Sequence, residues 1–530
     1  MRHARSARWP SLTTIGLAGL GLTESAFAHS LGQRYDLPVP LDLYLYAAGT
    51  TVAVSFLLIA WFMRSTEQHH GYRRINLLDY RLGRIFAHPV CVFAWQLLGV
   101  ALLVIVILTG LFGAQRTMGN FAPVFVWIIW WVGLAYVSAL IGNLWLLVNP
   151  WRASFAWAEA LYRYMRPGRE LSLHLPYPSA SGVWPGAILF LAFTWAELVY
   201  SGAAVPVNVA AMVLTYTAIM WGGMLIFGRE RWLRHGEAFS LVFAVLARFA
   251  PTEVRVSQTT LCKNCELVCL DQEGDCINCS ECYERADDSV REWSLRPYAV
   301  GLLRQETVSA SMMAFVLLML STILFDGFMV TAPWTQLAMD LYAMLPTLGG
   351  NRLALIRTFG LLSSWVLFIV VYGGVCWLIS AASGRRLSTW QSAVCFIYTL
   401  VPIAIAYHLA HYLTYLLVQG QFIIPLLSDP FGYGWDLIGT RDYLPNIAIV
   451  GARFAWYTSV IAIVSGHVIA VYLAHVKAAR LIANAGAARR SQYPMTALMV
   501  VYTFCGLWVL AQPIVNNPVT SAATTLVGAR

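Results

Sequence analysis

Long apolar runs follow one another along almost the whole chain, and they constrain its fold more than any other feature. An α-helix needs about 20 apolar residues to cross the hydrocarbon core of a bilayer. Runs of about this length lie at roughly 44–63, 91–113, 123–148, 184–201, 207–227, 309–331, 353–383, 389–418, 449–474 and 494–514. We therefore predict an all-α, polytopic helical membrane protein with about ten transmembrane helices.

The composition agrees with this interpretation. Hydrophobic residues make up 59% of the chain and charged residues only 12%, whereas a soluble domain has about 25% charged residues. The formal net charge of +9 does not indicate nucleic-acid binding, because most basic residues lie between the apolar runs, where they set orientation. We expect membrane lipid, and no nucleic acid, around this protein.

Residues 1–28 differ from the rest of the chain. Three arginines lie within the first eight residues, and a modest apolar stretch then ends in Ala-Phe-Ala at 26–28. This order is typical of a secretory signal peptide that is cleaved after the last alanine. An uncleaved first helix is the alternative. Cleavage would make His29 the mature amino terminus, on the outer side of the membrane.

Basic residues fix the predicted orientation. With the mature terminus outside, the loops predicted to lie inside hold 25 Lys and Arg, whereas the outer segments from residue 114 onward hold 4. Inner loops of membrane proteins carry this excess of positive charge. We predict a multi-pass protein of a bacterial inner membrane with three parts after the signal segment. They are a first membrane half of five helices (29–227), a cytoplasmic Cys-rich metal-binding insert (228–308) and a second membrane half of five helices (309–530).

The insert begins with the stretch RWLRHGEAFSLVFAVLARFAP. Its basic and apolar residues are segregated as in helices that lie in the plane of a membrane interface. We expect this stretch to lie along the cytoplasmic membrane surface.

Four ionisable residues interrupt three of the apolar runs: Glu197, Asp326, His408 and His411. At 1.5 Å per helical residue, all four lie within about 15 Å of the outer ends of their runs. Ionisable side chains at such depth are costly and mark functional sites. Imidazoles with carboxylates are ligands of divalent metals such as zinc or manganese. We predict a metal site formed by these four residues.

Other interpretations of this layer remain open. Arg357 and Arg453 lie at a similar depth and could neutralise Asp326 and Glu197 in a buried ion-pair network. The same polar residues could instead line a permeation path.

Six cysteines lie within 21 residues of the insert: Cys262, Cys265, Cys269, Cys276, Cys279 and Cys282. Disulfides are not expected in the reducing cytoplasm. Repeated C-x-x-C spacing places two thiolates of one turn on one metal. The last three cysteines resemble a ferredoxin run but lack its fourth cysteine and proline. The loop therefore predicts either zinc or an iron–sulfur cluster.

Four longer stretches resemble a known family: AHSLGQRYDLPVPLDLYLY, WLRHGEAFSLVFAVLARFAP, YHLAHYLTYLLVQGQFIIPLLSDPFGYGWDLIGT and PMTALMVVYTFCGLWVL. They are similar to multi-pass membrane proteins known as fenitrothion hydrolases, of which this chain resembles the large membrane subunit. The resemblance implies hydrolysis of an organophosphorus triester, a small apolar substrate, with release of a nitrophenol. It also implies a second hydrolase subunit as partner, but it assigns no residue a role.

The polar layer suits such chemistry. A divalent metal lowers the pKa of its bound water and polarises the phosphoryl group. Glu197 or Asp326 is a candidate general base, and Arg453 or Arg357 would stabilise developing negative charge. We therefore expect a metal-dependent hydrolase with a periplasm-facing site. The alternatives are a membrane redox component that uses the cysteine cluster and a transporter of metals or small solutes.

Overall fold

The computed structural model describes residues 40–62, 72–257, 269–270, 274–304, 306–346 and 351–515. Within these ranges, ten helical segments are long and apolar enough to cross a membrane, and each coincides with a predicted run. We number them α1 (Leu41–Phe62), α2 (Pro89–Phe112), α3 (121–140), α4 (Trp184–Leu198), α5 (Pro206–Phe227), α6 (Ala310–Met329), α7 (Arg352–Ala382), α8 (Val401–Gln419), α9 (Ala452–Leu481) and α10 (Ala485–Val515). The predicted all-α polytopic fold is confirmed.

Shorter helices connect these segments. They comprise Leu77–Asp79, Arg81–Ala87, Thr117–Gly119, Trp145–Val148, Pro150–Met165, Ser179–Ser181, Arg229–His235, Ala238–Ala247, Ser280–Arg285, Val300–Leu303, Ala332–Met344, Thr389–Phe396, Ile397–Leu400, Gly420–Phe422 and Ile423–Ser428. The predicted signal segment with His29, and the cysteines at 262 and 265, lie outside the described residues. We call the end of the bundle that carries the insert the insert side, which the loop charges predict to be cytoplasmic. The opposite end is the far side.

Helices α6 and α8 form the centre of the bundle, because most of their residues are buried, whereas few residues of α2 are. Helix α8 packs closely against α9 at Gly466. A Cβ atom there would lie 2.7 Å from the carbonyl oxygen of Pro402 and 2.4 Å from the Cβ of Ala406. Only glycine allows this approach, which holds the helix carrying both histidines in place.

Helix α3 changes its winding at mid-length. Residues Phe125–Gly133 form a π-helix between α-helical ends at Phe121–Val124 and Leu134–Leu140. Such wide turns occur often at functional sites because they shift the direction of side chains. Here the wide turn carries Trp131, whose indole contacts the far-side polar residues described below.

The insert contains a four-stranded antiparallel sheet. Its strands are β1 (Ile75–Asn76), β2 (Thr252–Val256), β3 (Cys276–Ile277) and β4 (Arg291–Leu295), in the spatial order β1-β4-β2-β3. Strand β1 comes from the loop between α1 and α2, so the folded insert includes a segment outside the predicted 228–308. A strand of two residues is too short to show alternation in the sequence.

The first part of the insert does not lie on the membrane surface, and that prediction is wrong. Almost every residue of helix Ala238–Ala247 is buried, and Phe239 packs against Trp130 on α3 and Phe193 on α4. A helix that is apolar on all sides is a core helix, whereas an interfacial helix keeps a charged face in water. The basic residues that suggested an amphipathic helix precede this helix, in the separate segment Arg229–His235.

Candidate functional site

A hydrogen bond joins two central helices in the far-side half of the bundle. The Nε2 atom of His411 on α8 lies 2.8 Å from Oδ2 of Asp326 on α6. Their side chains retain only 10% and 8% of their full exposure. His411 is eight residues from the end of α8, or about 12 Å below it. The pair therefore combines an imidazole and a carboxylate at membrane depth.

Two further side chains extend this pair into a chain of hydrogen bonds. The hydroxyl of Tyr412 lies 3.0 Å from Asp326 Oδ2 and 3.4 Å from Glu197 Oε1. Since a hydroxyl carries one proton, it can donate to only one carboxylate at a time. The indole Nε1–H of Trp131 donates to Glu197 Oε1 at 3.1 Å. The chain thus connects α3, α4, α6 and α8, and it includes Glu197, Asp326 and His411.

His408 lies beside this chain but is not hydrogen-bonded to it. Its side chain is buried, and neither ring nitrogen has a hydrogen-bond partner among the described residues. Aromatic rings surround it, with centroid distances of 6.0 Å to Trp131, 5.3 Å to Tyr136 and 4.8 Å to Tyr412. The structure therefore places His408 in an aromatic environment next to the polar chain.

These four residues do not form a metal-ligand set in this structure. A metal site needs three or more His, Cys, Asp or Glu side chains whose ligand atoms lie close together. Among the described residues, one such group has all its ligand atoms within 4.8 Å of one another, and it consists of cysteines. The far-side residues form a hydrogen-bonded chain instead, with His408 apart from it.

Arg453 lies in the first turn of α9 on the far side. Its guanidinium carbon is 5.9 Å from the ring of Tyr457, one turn further along the helix. The hydroxyl of Tyr457 is 3.4 Å from that of Tyr44 on α1. Arg357 is half-buried on α7. The catalytic role of Arg453 stays a prediction from the sequence.

A void of about 10 Å³ adjoins the polar chain. Glu197, Tyr412, Trp131 and Thr194 are among the residues that line it. A volume of about 10–15 Å³ is the least that holds one water molecule, and a water also needs polar partners. The void therefore offers space for about one water molecule, with the carboxylate of Glu197 and the hydroxyl of Tyr412 as its polar partners.

Three cysteines of the insert converge on one point. The Sγ atoms of Cys269, Cys276 and Cys279 all lie within 4.8 Å of one another. Asn278 makes this possible, because its φ of 54° reverses the chain between β3 and the helix Ser280–Arg285. Asparagine tolerates this left-handed conformation better than most residues. Its side-chain oxygen accepts a hydrogen bond from the backbone N–H of Val254 at 3.1 Å, which ties the turn to β2.

The spacing of the sulfur atoms suits a metal. Zinc–sulfur bonds are about 2.3 Å long, so two sulfurs on one zinc ion are at most about 4.6 Å apart. The three sulfurs lie within 4.8 Å of one another, and Cys282 lies in the same buried cluster as a fourth candidate ligand. This cysteine cluster can therefore bind a metal. The sequence-based prediction is confirmed to that extent, while Cys262 and Cys265 lie outside the described residues.

The groups around Cys279 favour its thiolate form. Hydrogen bonds from Cys269 and Cys276 lower the pKa of the Cys279 thiol far below its usual value, and Arg234 lowers it further. An Nη2 atom of Arg234 lies 3.6 Å from this sulfur. A cluster with a stabilised thiolate is the electronic state that metal binding requires.

Sequence reasoning missed Glu237, which is fully buried. Its carboxylate caps the helix Ala238–Ala247, accepting hydrogen bonds from the backbone N–H groups of Phe239 at 3.0 Å and Ser240 at 2.5 Å. It also accepts from Trp145 Nε1 at 3.0 Å and from the hydroxyl of Tyr216 at 2.7 Å. The sequence does contain a signal for this cap, the Gly-Glu pair directly before the apolar run. A carboxylate at the start of a helix accepts hydrogen bonds from the backbone N–H groups of its first turn.

No family model matches the chain, and neither the curated proteins nor the solved structures gave a match. The resemblance to fenitrothion hydrolases therefore stays a prediction from the sequence.

Proposed function

We propose that this protein is a membrane-embedded hydrolase of organophosphorus triesters that uses the His411–Asp326 pair as its general base. The observation that carries the proposal is the 2.8 Å contact between these two side chains. A carboxylate at Nε2 favours the tautomer with the proton on that nitrogen and the lone pair on Nδ1. It also stabilises the imidazolium that forms when His411 accepts a proton, as in a catalytic triad.

The reaction follows from this pair. The Nδ1 atom of His411 takes one proton from a water molecule, and the water oxygen forms a new bond to phosphorus. The bond between phosphorus and the aryl oxygen breaks, and the leaving nitrophenolate takes the bonding electrons. His411 then returns its proton, so that water and triester yield a phosphorus diester acid and a nitrophenol. Proton transfer of this kind contributes about 10²–10⁴-fold to rates.

Tyr412 and a void beside Glu197, which His411 does not line, accompany this pair. The void next to Glu197 and Tyr412 is large enough for about one water molecule. The Tyr412 hydroxyl, which lies between the two carboxylates, is a donor for negative charge that develops on the phosphoryl or thiophosphoryl group. Arg453 or Arg357 would stabilise the same negative charge if the substrate extends toward the far-side surface.

The location suits an apolar substrate. Neutral triesters partition into the bilayer, so they can reach a site about 12 Å below the end of α8 from the lipid. In this proposal the far side faces the periplasm and the membrane is a bacterial inner membrane. The cysteine centre holds zinc and stabilises the insert, and a second hydrolase subunit is the expected partner.

The proposal is tested with the full chain in lipid nanodiscs and a nitrophenyl phosphorus triester. Nitrophenolate release is followed by its absorbance. We expect hydrolysis by the wild type and a loss of about 10²–10⁴-fold for Asp326→Asn, since the base loses its partner. Asp340→Asn, on the exposed face of helix Ala332–Met344, is the matched control. A wild type without activity, or equal rates in both variants, would contradict the proposal.

A membrane redox component is the second candidate, because the cysteine centre could hold iron instead of zinc. Cys269 and Cys279 also line a large cavity between the insert and the membrane helices, where a redox partner could approach. Anaerobically purified protein would then be coloured and would bleach on reduction. A colourless protein that contains zinc would exclude this candidate.

A further inference from the structure

An exposed group of aromatic side chains lies at the far-side end of α2. Phe431, Tyr433 and Trp435 pack against one another, with ring centroids between 5.4 and 5.7 Å apart. Tyr433 retains 56% of its full exposure and Trp435 retains 43%. The hydroxyl of Tyr433 donates a hydrogen bond to the carbonyl of Phe112, the last residue of α2, whose own side chain is exposed. We call these four residues the aromatic cluster.

The loop that carries the cluster is fixed to the connection between α2 and α3. The backbone N–H of Ala114 donates to the carbonyl of Phe431 at 2.7 Å. Gly432 has a φ of 71°, and a Cβ atom there would lie 2.4 Å from the carbonyl oxygen of Gly119. Only glycine allows both this left-handed conformation without strain and this close approach. The position of the loop on the end of the bundle is therefore set by its backbone.

Polar side chains of the loop bind its own backbone. Asp429 is buried, and its carboxylate accepts hydrogen bonds from the N–H groups of Tyr433 at 2.9 Å and Gly434 at 2.6 Å. Arg441 donates to the carbonyl of Gly434 at 3.0 Å and lies 3.3 Å from Asp442. The rings of the cluster are thus held in place while they remain exposed. A surface that is already ordered loses little conformational entropy when it binds a partner.

The position of the cluster relative to the membrane follows from α2. This helix has 24 residues, which is about 36 Å at 1.5 Å per residue and enough to cross a hydrocarbon core of about 30 Å. Few of its residues are buried in the protein, so exposed side chains such as Leu97 and Leu108 face lipid. The aromatic cluster therefore continues a lipid-facing surface at the level where the hydrocarbon ends.

We propose that the aromatic cluster docks the far-side loop onto the lipid bilayer, with Tyr433 and Trp435 at the level of the headgroups. Tyrosine and tryptophan are enriched at this level because each combines an apolar ring with a polar group. Leu437 and Ile438 follow the cluster and are also exposed, so they extend its apolar surface. A partner protein would have to displace lipid beside α2 to cover Phe112. This contact with lipid does not depend on the proposed hydrolysis.

The experiment places the photoreactive residue p-benzoyl-phenylalanine at Trp435 of the full chain in phosphatidylcholine nanodiscs. After irradiation, intact-mass spectrometry measures the fraction of chains that carry one added lipid. The same replacement at Leu97, on the exposed side of α2, is the positive control. Arg285, on the surface of the insert, is the negative control. The Trp435 variant is also irradiated in cell membranes, where electrophoresis shows any protein that it joins.

We expect lipid adducts at Trp435 with a yield at least about tenfold above that at Arg285 and close to that at Leu97, because interfacial rings contact lipid directly. The same replacement at Leu437 should give lipid adducts without altering any ring of the cluster. Yields at both Trp435 and Leu437 that do not exceed the yield at Arg285 would overturn the proposal. A protein adduct in place of the lipid adduct would assign the cluster to a partner chain and would overturn it as well.

Discussion

The imidazole of His411 and the carboxylate of Asp326 meet at 2.8 Å between α8 and α6, the two most buried helices of the bundle. Each side chain is on a rigid element, so their separation is set by helix packing and not by a loop. A general base needs this constancy, because proton transfer depends steeply on distance.

Tyr412→Phe removes the hydroxyl between Asp326 and Glu197 but keeps the ring that packs on His408 and His411. We expect kcat of triester hydrolysis to fall by about 10²-fold with KM nearly unchanged, because the lost donor acts on charge that develops in the transition state. Tyr372→Phe on α7, which loses a hydroxyl bond to the carbonyl of Ala393 in helix Thr389–Phe396, should leave kcat unchanged. A similar loss in both variants would indicate a general effect of buried hydroxyls.

Cys279→Ser should remove most of the metal from the purified protein, because the thiolate at the centre of the cysteine cluster is replaced by a weak ligand. Metal content is measured by elemental analysis after purification without metal-affinity resin. Cys376→Ser provides the control, since Cys376 is a buried cysteine on α7, away from the cluster. Unchanged metal content in Cys279→Ser would show that Cys279 is not a ligand.

Glu237→Ala should destabilise the protein strongly. The loss of an N-terminal cap costs about 1–2 kcal/mol, and each buried donor left without an acceptor costs about 1–3 kcal/mol more. Trp145 and Tyr216 both lose their acceptor. The melting temperature in detergent reports this change, and Glu281→Ala at a partly exposed position should leave it nearly unaltered. A melting temperature equal to that of the wild type would contradict the packing of helix Ala238–Ala247.

Arg152→Ala should loosen the insert and weaken its dependence on pH. Burial raises the pKa of Glu230, but the charges of Arg152 and Arg229 outweigh burial and lower it overall. In the wild type this pair therefore stabilises above the ordinary pKa of a glutamate, about 4.3, and less as the pH falls below it. Without Arg152 the carboxylate keeps Arg229 at 3.0 Å, so the stabilisation above this pH is reduced.

Limited proteolysis of the insert across the pH range measures this effect. Arg285→Ala breaks an exposed pair with Glu281, which contributes at most about 1 kcal/mol. Identical cleavage of wild type and Arg152→Ala at every pH would mean that the ion pair does not hold the insert.

The membrane fold could be predicted from the sequence because length and apolarity alone decide which segments span a bilayer. The depth of Glu197, Asp326 and His411 followed from counting residues along these segments. Their partners did not, because rotation of each helix about its axis depends on packing. His408 and His411, three residues apart, suggested one shared ion, yet His411 contacts Asp326 while His408 faces aromatic rings.

Other features gave weaker signals in the sequence. Trp131 and Tyr412 looked like ordinary members of apolar helices, and only the π-helical turn of α3 and the contact with Glu197 reveal their polar role. The cysteine spacing predicted a metal centre, but the turn at Asn278 that assembles it depends on pairing with β2. Long-range pairing of this kind cannot be inferred from local pattern.

The rate of nitrophenolate release from a phosphorus triester in His411→Gln and His467→Gln tests the role of His411 most directly. His467 is a fully buried membrane histidine whose Nδ1 contacts the carbonyl of Ile463 at 2.8 Å. We predict that the first variant loses activity by about 10²–10⁴-fold while the second retains it. Wild-type rates in His411→Gln would contradict the assignment of the general base.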